Sequence, residues 1–442
     1  MIDLVQHLTK AGSSVKLAAQ IEALVREGRI PPESLLPPVR TVAKALNVSP
    51  GTAAAAYKAL RAQGVVTSDR RRGTRVLPRP SQREFTDTPA PPGALDLQIA
   101  NPDPAFLPDL KKIFASIRPK SDRYGGTHLD PDLSARMRSN FEADGIDGSN
   151  LVVLSGAIAG IYRALRACCG PGDKVAVEDP GFNEHHASVR AQAMIPVPVA
   201  IDDEGMLPQS LAAALRSGAR AVVLCPRFQS PTGSALTKTR AASLRAVLAG
   251  HPDVAVLADD YGSLLADTPY HDCFGKGRAR FLVVRSFNKT IAPDLRVAVA
   301  AADAETCDRL RREQWLSDGW VSGYLQRVAA AALASRSVQA TLGKACKTYS
   351  ARREALLTAL ADRGIAARGA TGLNVWIPVA GEADVVRGLL DRGFCVRAGA
   401  RYRLQSPPAI RVTTTELEPE QAIRLADALR AVVAERPTGR GP

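Results

Sequence analysis

The feature that most constrains this chain is a train of short apolar runs from residue 96 onward, each followed by small or polar residues and then a helical pattern. The runs are Leu151-Val152-Val153-Leu154, Lys174 to Val177, Arg220 to Leu224, Val254 to Ala258 and Phe281 to Val284, and each reads as a buried strand. Strands alternating with helices predict a mostly parallel sheet covered on both faces. Ligands of such sheets gather at the carboxyl ends of the strands, so the residues just after each run carry the functional reading.

After Phe281 to Val284 come Ser286, Lys289 and Arg296. A lysine at the end of a buried strand is desolvated, which lowers its pKa and frees its lone pair for a Schiff base with an aldehyde. A hydroxyl and a guanidinium beside it suit a phosphate. An aldehyde and a phosphate on one small molecule point to pyridoxal phosphate, although an isolated Ser-x-x-Lys also arises by accident around a solvated lysine. Ser155-Gly156-Ala157 follows another run and opens a helix, where free backbone N–H groups can take a phosphate. Asp259 ends a further run. A carboxylate there either meets a cation such as a protonated pyridine nitrogen or caps a helix.

The first 80 residues differ in kind. They hold 13 lysines and arginines against five acids, a net +8, in a chain whose formal net charge is +14. Such a balance suits an anionic polymer or serves solubility alone. Helical spacing over residues 14–29, a second helix from Pro38 to Leu46, and the turn Asn47-Val48-Ser49-Pro50 opening a third give helix, tight turn, helix. Residues 64–67 and 73–76 read as two strands around a basic hairpin tip. That is a winged helix-turn-helix, with its third helix in the major groove and its wing along phosphate; the bland alternative is a basic helical bundle. Prolines 78, 80, 89, 91 and 92 make a semi-extended linker.

At 442 residues, with 45% hydrophobic and 23% charged, the chain has a soluble composition and room for two or three domains. No apolar run approaches a membrane span and the first residues lack a signal-peptide pattern, so a cytoplasmic location is expected. Seven cysteines without a C-x-x-C read as reduced small hydrophobes, and neither metal nor disulfide is expected.

Leu36-Pro37-Pro38-Val39-Arg40, Val48-Ser49, Thr52 and Gly73-Thr74 together resemble the GntR-type winged helix-turn-helix. The resemblance implies that Arg40, Ser49, Thr52, Arg72 and Thr74 touch operator DNA. The third helix carries Ala53 to Ala56, with no Arg or Asn there to read bases. Residues 95–435 resemble the fold type I aminotransferases. By that resemblance Lys289 is the Schiff-base lysine, and Gly156, Ala157, Ser286 and Arg296 hold the phosphate. Asp259 takes the pyridinium nitrogen, Tyr261 and Ser230 lie by the ring oxygen, Phe182 stacks on the ring, Tyr124 reaches across a dimer, and Arg411 grips a substrate carboxylate. Ser230 stands where the family carries asparagine, and Asn374 where related regulators often carry histidine. Both departures weigh against efficient transamination more than against cofactor binding.

The fold expected is therefore multidomain. It comprises a winged helix-turn-helix over residues 1–76, a proline-rich linker over 77–95, and an α/β aminotransferase-like domain over 96–435 whose smaller α+β subdomain begins near 320. The order resembles the MocR family, which implies a head-to-tail domain-swapped homodimer on double-stranded DNA. The function expected is regulation of transcription by pyridoxal phosphate, or by an amine or amino-acid effector that exchanges with the aldimine at Lys289. An aminotransferase half-reaction is compatible with these residues, whereas physiological turnover is not expected. Two alternatives are an active aminotransferase carrying a DNA-binding head and a scaffold that binds no cofactor.

Overall fold

The structure is a computed structural model that describes residues 8, 13–31, 34–62, 65–69, 73–76, 89–118, 124, 128–275 and 277–435. The chain divides into two compact units, one holding the residues up to Asp87 and the other most of the chain from Thr88 onward.

In the amino-terminal unit α1 (Ser14–Arg26), α2 (Val39–Leu46) and α3 (Pro50–Ala62) precede the antiparallel hairpin of β1 (Val66–Asp69) and β2 (Gly73–Val76). Asn47 ends α2 in the left-handed conformation, φ 52°, which asparagine tolerates better than most residues. Ser49 then accepts a hydrogen bond from the Thr52 amide at 3.0 Å, satisfying a free donor of the first turn of α3. Ala53, Ala56, Tyr57 and Leu60 face the core, so α3 exposes Gly51, Ala54, Ala55 and Lys58. Arg40 and Ser49 are exposed, and Thr52 and Thr74 are half-buried. Arg72 and most of the proline-rich stretch lie outside the described residues.

The large unit begins with β3 (Leu95–Asp96). Its main sheet contains β4 (Leu151–Leu154), β5 (Lys174–Asp179), β6 (Ile195–Asp202), β7 (Gly205–Met206), β8 (Ala219–Leu224), β9 (Ala255–Asp259), β10 (Phe281–Ser286) and β11 (Ala298–Ala302). Their spatial order is β4-β11-β10-β9-β8-β5-β6-β7. The central β8, β9 and β10 run parallel, as the pattern predicts. The sheet is nevertheless mixed, because β11 is antiparallel to both β10 and β4, and β7 is antiparallel to β6. A second sheet joins β12 (Asn374–Pro378), β15 (Ala409–Thr413) and β14 (Arg397–Ala398), all antiparallel, while β13 (Phe394–Cys395) pairs with β3.

Two cores share one element. The 26-residue helix Arg336–Ala361 packs Val338, Leu342, Ala345 and Tyr349 with the main-sheet residues Val283 and Val299. Further along it contributes Leu356, Ala359 and Leu360 to the core of the small layer, with Val375, Ile410, Val412 and Leu425. The small layer thus starts inside this helix, not near 320, because helix Gly323–Ala334 still packs with the main sheet. Leu97 also joins the small core, so this layer is built from both ends of the unit.

Candidate functional site

Residues at or just past the carboxyl ends of β4, β5, β8, β9 and β10 gather in one region. β9 is buried along its whole length and delivers Asp259, 2% exposed. One oxygen, Oδ2, lies 3.0 Å from His185 Nε2, while Oδ1 has no hydrogen-bond partner. A buried carboxylate with one free oxygen needs a donor. His185 was missed from the sequence. Its signal is the spacing from Phe182, because residues three apart at the start of helix Asn183–Ala191 share a face, and their rings meet edge-on at 5.3 Å.

Lys289 follows β10 and is half-buried. Burial lowers its amine from 10.5 to about 8; Arg411 and Arg296 push the same way, and Glu184 opposes them. Its Nζ donates to the Ala100 carbonyl. Arg411, 5% exposed on β15, donates to the Gln98 carbonyl, while its Nε has no partner. The Arg411 guanidinium lies 4.8 Å over the Tyr402 ring. Tyr402 is held there because its carbonyl accepts from Gly181 N at 2.8 Å. Asp179 fixes the same loop, accepting from Leu404 N, Gln405 N, Ser406 N and Ser406 Oγ at 2.6–3.0 Å. The segment Glu178 to Phe182 therefore positions the arginine as well as Phe182, the ring expected to stack on the cofactor.

At the opposite end of the pocket, β4 turns through Ser155-Gly156 into helix Ala157–Cys168. A Cβ on Gly156 would sit 2.6 Å from an Arg296 nitrogen, and the φ of +113° is itself a glycine conformation. Arg296, exposed and left-handed at φ 52°, donates to the Ser155 carbonyl at 3.4 Å. Ser286 Oγ bonds Asn288 Oδ1. Glycine, helix N-terminus and guanidinium thus lie together, a donor set that suits a phosphate dianion.

Other expected residues are placed as follows. Tyr261 donates from its hydroxyl to the Phe228 carbonyl at 2.6 Å, so in this state its hydrogen goes to backbone. Ser230 is buried at the end of the loop after β8. Asn374 is buried and accepts from Thr413 Oγ1 at 3.0 Å, a structural bond within the small sheet. Tyr124 is 88% exposed and packs edge-on to Trp320 at 5.4 Å, outside this pocket.

Sequence reasoning also missed two supports. Glu178 is buried without a cation, accepts from Cys225 N and Gln229 Nε2, and is pushed up to about 8 by burial. Cys225 Sγ and donor atoms of His185 and Asp259 lie within 4.8 Å of one another. Burial raises that thiol well above its ordinary value, which keeps it protonated. Beside Asp259, Asp260 holds Arg227 and Arg285, with contacts of 2.8 Å to each, and both arginines also reach Asp144. This buried network fixes the ends of β9 and β10, and with them Asp259 and Lys289.

Pyridoxal phosphate fits this donor set. Asp259 Oδ1, buried without a partner, would take a pyridinium N–H, the Gly156 turn with Arg296 would hold the phosphate, and the lowered Lys289 amine would meet the aldehyde.

Two family models account for most of the chain. "Bacterial regulatory proteins, gntR family" matches residues 13–76, and "Aminotransferase class I and II" matches residues 95–429. The chain is 37% identical over 404 residues to the vitamin B6 salvage pathway transcriptional repressor PtsJ of Salmonella typhimurium, covering 90% of this chain and 93% of that one. It is 24% identical over 362 residues to the pyridoxine biosynthesis transcriptional regulator PdxR of Corynebacterium glutamicum, covering 78% of each. Among solved structures, the kynurenine aminotransferase of Pyrococcus horikoshii superposes with a TM-score of 0.71 at 20% identity, covering 80% of this chain and 93% of that one. With a GntR-type reader ahead of an aminotransferase-like domain that carries the pyridoxal phosphate donor set, the chain belongs to the MocR-type DNA-binding transcriptional regulators.

Proposed function

We propose that this regulator registers pyridoxal phosphate itself, or an amine that reacts with it, at Lys289, and converts that occupancy into a change in operator affinity. The carrying observation is the pairing in one pocket of a buried Asp259 oxygen without a partner and a lysine amine lowered to about 8. When bound, the cofactor supplies an aldehyde open to amines. The protein's residues do the rest. Asp259, oriented by His185, holds a proton at the ring nitrogen. The Gly156 turn and Arg296 hold the phosphate, and Arg411 is the cation for a carboxylate on an incoming amine. Two relatives are named for control of vitamin B6 salvage and synthesis, which supports the cofactor as part of the signal.

The protein is further read as a cytoplasmic head-to-tail homodimer, with Tyr124 serving a partner's phosphate site. Among the described residues no helix is long and apolar enough to cross a membrane.

The test combines absorption and DNA binding. The protein reconstituted with pyridoxal phosphate is expected to gain a visible band that borohydride removes and that Lys289→Ala lacks. On DNA selected by the wild-type protein from a random pool, the cofactor is expected to change affinity for wild type and not for the variant. A colourless wild-type protein, or equal regulation of the variant, refutes the reading. Steady transfer between an amino acid and a keto acid at ordinary enzyme rates would instead indicate a working aminotransferase.

A further inference from the structure

Glu184 is an acid that the site as described does not use. It lies in the first turn of helix Asn183–Ala191, between Phe182 and His185, two residues assigned to the cofactor ring. Its Oε2 is buried and has no hydrogen-bond partner. It stands within electrostatic reach of both Lys289 and Tyr402, whose ring lies under Arg411. The surroundings of Lys289 are therefore not uniformly cationic, since a carboxylate with one oxygen lacking a donor stands there together with Arg411 and Arg296. A shielded carboxylate in that condition favours a ligand that brings a positive N–H group and disfavours one that brings a second carboxylate.

We infer that Glu184 selects the effector: the amine this site prefers is an amino acid with a second, cationic group on its side chain, its carboxylate on Arg411 and its distal ammonium on Glu184. This rests on the reading of the pocket as an amine-responsive cofactor site. Neutral aliphatic amino acids leave the Glu184 oxygen without a donor, and acidic ones place like charges together.

The experiment is a titration of the full-length, cofactor-loaded protein, following its visible absorption, with L-lysine, L-ornithine, L-norleucine and L-glutamate. L-Lysine or L-ornithine is expected to half-saturate the change at a concentration at least tenfold below L-norleucine, with L-glutamate weakest. In Glu184→Gln the preference for the basic amino acid over L-norleucine is expected to fall to within about threefold. The comparison of L-lysine with L-norleucine on wild type stands even if the variant does not fold. L-Norleucine acting as well as L-lysine on wild type, or Glu184→Gln keeping the full preference, overturns this inference and leaves the amine-responsive reading in place. A band that forms but answers to none of the four overturns both.

Discussion

Gly156 and Arg296 set the room available to a phosphate, and the margin is small. Gly156→Ala puts a methyl group 2.6 Å from the guanidinium on a backbone that alanine rarely adopts. Cofactor affinity by spectrophotometric titration is expected to fall by about tenfold or more, equivalent to roughly 1.4 kcal/mol. Lys289 gives a prediction in pH. Only the neutral amine attacks an aldehyde, and with a pKa of about 8 roughly a quarter is neutral at pH 7.5, against about one part in a thousand for an ordinary lysine. The rate at which the visible band forms is therefore expected to climb as pH rises toward 8 and to level off above about 9. A rate still climbing tenfold per pH unit at pH 9.5 would show an unshifted lysine. Asp259→Asn keeps the shape and a hydrogen-bonding oxygen but loses the charge that pairs with a pyridinium. Charge-assisted bonds contribute about 1.5–3 kcal/mol, so equilibrium dialysis is expected to show affinity lowered roughly ten- to a hundredfold.

Elements carry the second layer of consequence. Ser49 starts α3 by accepting from Thr52 N, and its hydroxyl also bonds Thr52 Oγ1 at 2.8 Å. Ser49→Ala is expected to cost about 1 kcal/mol of stability in the amino-terminal unit, read by chemical denaturation, besides any loss of DNA contact. The ends of β9 and β10 depend on Arg285, 1% exposed and shared by Asp260, Asp144 and Asn140. Arg285→Ala leaves Asp260 and Asp144 to Arg227 alone and is expected to destabilise the large unit by about 3 kcal/mol. These examples also mark what was legible beforehand. Asp259 and Lys289 stand just past apolar runs and Arg296 just before one, where a charged residue has few structural excuses, so the pattern pointed to them. His185 and Glu184 sit in a helix, where polar residues ordinarily face water, and only the three-residue spacing from Phe182 to His185 hints at a role. Arg285 lies next to last in β10, and its partners come from segments distant in sequence. The same holds for β11. Its sequence, Ala298 to Ala302 with one valine, favours helix by propensity, and only pairing with β10 and β4 on both sides makes it a strand.

On the scale of the whole molecule, DNA affinity and ligand state are the two observables to connect. Affinity for DNA is expected to fall steeply with salt, and Arg40→Ala to reduce the slope of log K against log salt by about one if Arg40 meets a phosphate. The connection has a definite place to begin. Lys289 and Arg411 both donate to carbonyls of one stretch, Ala100 and Gln98, which lies just beyond β3 and continues upstream into the proline-rich stretch. A ligand that draws the amine and the guanidinium to itself takes both donors from that backbone at once. Those carbonyls are then left to water, and residues 98–101 become the first part of the molecule to loosen. Amide exchange there is expected to quicken when the site fills, and unchanged exchange would place the trigger elsewhere. In mechanical terms the two cations act as a clutch: engaged on the backbone just past β3 while the site waits, released when the ligand takes hold, with the chain that leads to the reader on the output side.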